Sequence, residues 1–72
     1  MNKLTFTITN ITIDSWCTLV STDGQRIRGT IISGPWPQLG DEIQVEVLSH
    51  GLQDFLNTGN GEILRLRVEE IF

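Results

Sequence analysis

Alanine is missing from this chain, and methionine and lysine occur once each among its 72 residues. The shortage of these common helix formers argues against a helical bundle. A lone Cys17 has no internal disulfide partner, and with His50 as the single histidine the usual zinc-ligand spacings are absent. No stretch comes near the roughly 18 consecutive apolar residues that cross a bilayer as a helix. Met1–Asn2–Lys3 leads straight into alternating residues, so the chain reads as unprocessed, cytoplasmic and without a membrane partner. Basic residues are also few, five against nine acidic ones, for a formal net charge of -4. A chain of this size buries only roughly 60% of the surface its unfolded form exposes, which excludes a two-domain enzyme or a deep cleft beside the core. Residues 1–72 are expected to form one soluble domain.

Threonine, isoleucine, valine and leucine dominate what is present, punctuated by seven glycines, and this composition favours strands. In Lys3–Thr9, Leu4, Phe6 and Ile8 fall on one face and three threonines on the other, the period-2 pattern of a half-buried strand. The next apolar residues, Ile11 and Ile13, lie an odd step from Ile8, which predicts a bulge or sharp coil at Thr9–Asn10.

Trp16–Ser21 and Gln25–Ile32 flank Asp23–Gly24, a dipeptide that accepts positive φ at both central positions of a type I′ hairpin turn. A two-residue turn would pair Val20 with Ile27, Thr18 with Gly29 and Trp16 with Ile31 on the core face. Leu19 with Arg28 and Cys17 with Thr30 would then lie outside. Trp16 is accordingly expected in the core, and Gly29 at a mid-strand bend.

Pro35 and Pro37 bracket Trp36 between Gly34 and Gly40, so this segment is a loop and not a helix. A fourth strand is expected over Asp41–Ser49, with Ile43, Val45 and Val47 inward. Leu52, Phe55 and Leu56 recur at helical spacing, which predicts about one helical turn plugging the core before Asn57–Gly61 ends it. The last strand runs from about Glu62 to Glu70, with Leu64, Leu66 and Val68 inward and Arg65, Arg67 and Glu69 outward.

Five short strands, each apolar on one face, cannot bury those faces in one flat sheet, so an all-β, nearly closed barrel is expected. The hairpin Cys17–Ser33 and the strand entry Leu39–Leu48 carry a resemblance to the oligonucleotide/oligosaccharide-binding (OB) fold, and within it to the S1-like group that includes bacterial translation initiation factor one. A small SH3-like barrel is the alternative. The resemblance implies a five-stranded OB-like barrel whose sheet face binds single-stranded nucleic acid. The chain departs from that group in its acidic balance, with Asp14, Asp23, Asp41, Asp54 and Glu62 expected in loops, so ribosome binding is not implied. It departs again at Pro35 and Pro37, which forbid the helix that usually follows the third strand.

Four of the five basic residues, Arg26, Arg28, Arg65 and Arg67, project outward from the third and last strands, which such a barrel places side by side. They could track phosphates, or they could pair with Glu46, Glu62 or Glu69 and only keep the surface soluble. Trp36 could stack a base or anchor a protein, or fold back over the barrel end. Cys17 and His50 are not expected to meet, and no cofactor, metal or catalytic set is implied. The expected function is therefore non-enzymatic binding of single-stranded nucleic acid or RNA through the arginine face and Trp36. The alternative is docking of the acidic rim and Trp36 on a protein assembly, and a third reading is a homo-oligomer packing Ile71–Phe72 across its contact.

Overall fold

The computed structural model describes residues 3–72; the expectation of an unprocessed start concerns Met1 and Asn2 and lies outside them. Six strands are present among the described residues: β1 (Leu4–Ile11), β2 (Trp16–Ser21), β3 (Arg26–Ser33), β4 (Glu42–Val45), β5 (Gly51–Asn57) and β6 (Ile63–Ile71). They close in the order β1-β2-β3-β6-β5-β4, every neighbouring pair antiparallel. The architecture is two three-stranded meanders joined along two seams, β1 to β4 and β3 to β6. Closure leaves no sheet edge free along the whole length of a strand, which suits a chain too small to cover one with a helix.

Each strand turns one face to the interior. Phe6, Ile8, Leu19, Ile27, Ile43, Phe55, Leu64 and Leu66 are fully buried there, and Phe6 meets Phe55 edge to face with ring centroids 6.3 Å apart. The first strand follows its sequence pattern, including a register shift between Ile8 and Asn10 that re-aims Ile11 toward the core. Ile13 lies beyond the strand and is fully exposed. The last strand also alternates as its sequence predicts, with Leu64, Leu66 and Val68 inside.

Four expectations are corrected. The first concerns the hairpin between β2 and β3, which turns through three residues. Ser21 N–H donates to Gln25 O at 2.7 Å, Gly24 N–H donates to Ser21 O at 3.0 Å, and Gly24 takes a φ of 92°. A turn ending in a left-handed glycine fits Thr22–Asp23–Gly24 as readily as a type I′ turn fits Asp23–Gly24, and it moves the register by one residue. Leu19 therefore pairs with Ile27 and Cys17 with Gly29, and β2 is inverted relative to the two-residue reading. Trp16 and Val20 face outward, half-buried.

The second correction is that Leu52–Leu56 forms strand β5 and not a helical turn, so the barrel has six strands and not five. Its inward residues are Gln53, Phe55 and Asn57, two of them polar, and its outward residues include Leu52 and Leu56. This reversed polarity hid the period-2 pattern. Third, β4 stops at Val45, and Val47 is exposed. The Gln53 side chain accepts from Ser49 N–H at 3.0 Å and donates to Val47 O, so an amide takes the place of ladder bonds where β4 ends. Fourth, Asp54, expected in a loop, projects from β5.

Gly29 sits at a second register shift, where β3 crosses close to β6: a Cβ there would lie 2.7 Å from Arg67 O. Cys17, enclosed beside it, has its thiol pushed up to about 11 by burial. At about pH 8 the native protein is expected to leave Cys17 unmodified by a water-soluble thiol reagent while urea-unfolded chain reacts fully. Rapid labelling of native protein would place the thiol outside the barrel.

Candidate interaction surface

The strand directions divide the barrel into two ends. One gathers residues 12–15, 34–41 and 58–62, hereafter the loop end; the other gathers residues 22–25, 46–50 and the chain terminus at Phe72. The sequence-predicted site residues fall on two separate surfaces.

Arg26, Arg28, Arg65 and Arg67 do share one outer ribbon, because β3 and β6 are neighbours. They are staggered along it, since Arg28 faces Glu70, Arg67 faces Thr30 and Arg65 faces Ser33. Each guanidinium has its own partner. Arg65 grips Asp54 through two bonds, Nε to Oδ1 at 2.7 Å and Nη2 to Oδ2 at 3.2 Å. Arg28 reaches Glu70 at 3.3 Å and lies 5.4 Å from the Trp16 ring centroid, and Arg67 approaches Glu69 at 4.0 Å. Arg26 stacks over Phe72 at 5.1 Å. Of the carboxylates expected to pair with them, Glu69 alone does so among the described residues, beside Asp54 and Glu70.

The hydrogen bond from Arg65 holds the Asp54 carboxyl below its ordinary value of 3.8 and raises the guanidinium in turn. Asp23 is lowered as well, first by the Ser21 hydroxyl and then by the Gln25 backbone. A depressed carboxylate stabilises the fold above its unfolded value, and that contribution is lost as pH falls through the folded one. The melting temperature is therefore expected to fall on acidification below about pH 4, and Asp54→Asn to flatten that decline. An acid limb identical in Asp54→Asn and the parent would contradict the role given to this pair.

Trp36 stands elsewhere. β3 is eight residues long, so the loop beyond its C-terminal end is roughly 20 Å or more from Arg26. The sequence builds this loop rigidly. Pro37 is fully buried under it, and Gly34 packs against the backbone of Ile63 and Leu64 with a φ of 105°. Asp41 Oδ2 accepts from Gln38 N–H at 2.9 Å and from Asn57 Nδ2 at 3.3 Å, while Gly40 N–H donates to Ile8 O at 2.8 Å. Pro37 and not Trp36 is the side chain this loop buries, and 55% of the Trp36 surface stays open to solvent. The loop end also exposes Ile13 and Leu39, and Ile63 is exposed next to it where β6 begins.

Sequence reasoning alone did not join these three to Trp36, because the topology unites segments far apart in the chain. A readable signal existed: residues 12–15, 34–41 and 58–62 contain no lysine, arginine or histidine, but hold Asp14, Asp41 and Glu62, with Glu42 opening β4. The remaining candidates stay apart. Cys17 lies inside the barrel near its loop end, and His50 is exposed at the other end. A groove of about 180 Å³ is lined by Lys3, Gln44, Glu46, Leu56 and Ile63, among others; Asp54, which also lines it, is already held by Arg65.

The chain is thus a small closed antiparallel β-barrel with a braced, tryptophan-bearing loop end. No family model matches it, and no curated protein or solved structure does so either.

Proposed function

We propose that this barrel is a non-catalytic binding module that docks on a protein partner through its loop end, with Trp36 as anchor. The observation that carries this reading is the exposure of Trp36 on a fixed loop, at an end that also exposes Ile13 and Leu39, with Ile63 exposed next to it. Solvated tryptophan on a held backbone loses little freedom on binding, and buried tryptophan is among the strongest anchors of protein interfaces.

A second reading, single-stranded nucleic acid along the β3–β6 ribbon, is favoured by the four arginines that project from it. Against it, Asp54, Glu69 and Glu70 already engage three of them, which leaves little net positive charge to follow a phosphate backbone. The OB-like assignment belongs with this second reading, and it requires counting β5 as a strand added before the last. End-to-end self-association is opposed by the carboxylates of Asp14, Asp41, Glu42 and Glu62, four from each of the two loop ends it would bring together.

Affinity capture from the native cell tests these readings. Docking predicts protein partners that survive nuclease treatment, are lost with Trp36→Ala, and persist in an Arg26→Ala, Arg28→Ala, Arg65→Ala triple variant. Partners that vanish with nuclease and with the triple variant would move the function to the ribbon.

A further inference from the structure

Resting on the docking reading above, we infer that the partner's contacting segment is cationic as well as apolar: lysine or arginine side chains set beside an aliphatic or aromatic anchor. The inference comes from how charge is divided over the barrel. All five basic residues lie outside the three segments of the loop end, on the strands or beside β1 at Lys3. Asp14, Asp41, Glu42 and Glu62 lie within that end or at its edge, and no described lysine, arginine or histidine pairs with any of them.

Asp41 has an internal task, holding the loop through Gln38 and Asn57. Asp14 takes the Thr12 hydroxyl. Glu42 and Glu62 are exposed, with only their backbone engaged: Glu42 O accepts from Thr58 N–H at 3.0 Å, and Glu62 O from Asn57 N–H at 2.8 Å. Exposed apolar side chains at an end whose carboxylates have no basic partner disfavour a second copy and nucleic acid alike, and they favour a segment of opposite charge over roughly a Debye length of 8 Å. The carboxylates would govern encounter and selectivity, and Trp36 with Leu39 the residence time.

Peptides of alternating leucine and lysine test the inference, compared with counterparts carrying serine or glutamate in place of lysine and with oligouridylate, each followed by amide-resolved NMR. The lysine peptide is expected to shift Ile13, Trp36, Leu39 and Ile63, with affinity falling roughly tenfold as salt rises from about 0.05 to 0.3 M. The triple variant Asp14→Asn, Glu42→Gln, Glu62→Gln should weaken it about tenfold and remove most of the salt dependence. Trp36→Ala should weaken it roughly thirtyfold at every salt concentration. No binding of the lysine peptide at low salt would overturn the inference. Serine or glutamate peptides reaching the loop end equally well would overturn it too, while leaving the docking reading intact. Shifts confined to Arg28 and Arg67 with oligouridylate would remove the docking reading itself.

Discussion

Phe55→Ala is expected to destabilise the protein by roughly 3–5 kcal/mol, whereas Leu52→Ala, three residues earlier, is expected to change its stability by less than about 0.5 kcal/mol. Phe55 is fully enclosed and packs its ring against Phe6, so its truncation removes buried surface and leaves a cavity, together costing roughly 3–5 kcal/mol. At about 0.05–0.15 kcal/mol per residue, a domain of this size holds roughly 4–11 kcal/mol in total. One phenylalanine thus accounts for a large share of the stability. Leu52 is more than half exposed on the outer face of β5. In a helical plug the two residues would share one buried face, and both substitutions would cost heavily. Urea titration of both variants, followed by far-ultraviolet circular dichroism, separates these cases.

Gly34→Ala is expected to destabilise by roughly 2–4 kcal/mol, and Gly24→Ala by only about 1 kcal/mol. Both glycines hold left-handed backbone, with φ of 105° and 92°. A side chain at either position meets the same conformational penalty, roughly 1–2 kcal/mol. The surroundings differ. A Cβ at Gly34 would stand 2.5 Å from Ile63 O and 3.0 Å from the Leu64 Cα, atoms that cannot retreat without disturbing the start of β6, while a Cβ at Gly24 would meet nothing within 4 Å. The difference between the two variants isolates the close approach that seats the Trp36 loop on the barrel. Equal losses would mean that the loop is not seated there.

How far the sequence reveals this fold depends on whether the two faces of a strand differ. β1 and β6 place threonines or charged residues against leucine, isoleucine and phenylalanine, and their orientation is legible from alternation alone. β2 reads Trp–Cys–Thr–Leu–Val–Ser, with apolar residues on both faces, so its orientation rests wholly on the turn, and Thr22–Asp23–Gly24 admits two turns. β5 misleads more strongly. Asn57 is buried because it organises the following turn, accepting from Gly59 N–H at 2.9 Å and tying to Asp41, and Leu52 and Leu56 face out. Polar residues inside and leucines outside imitate a helical repeat.

The candidate surface divides in the same manner. Trp36 stands out in the sequence because two prolines hold it, and the shared ribbon of four arginines follows from β3 lying beside β6. What the sequence conceals is that the arginines are individually engaged, one of them by an aspartate expected in a loop. The concentration of apolar side chains and unpaired carboxylates at one end becomes visible only when three distant segments are brought together.

Docking through the loop end, as proposed above, has a direct test in the cell. A photo-reactive amino acid placed at Leu39, at Arg67 or at Val47 and activated in the native cell tests it most directly. Protein adducts are expected from position 39 that disappear when Trp36→Ala is added, and none comparable from position 47 at the opposite end. Nucleic-acid adducts from position 67, with position 39 silent, would contradict it.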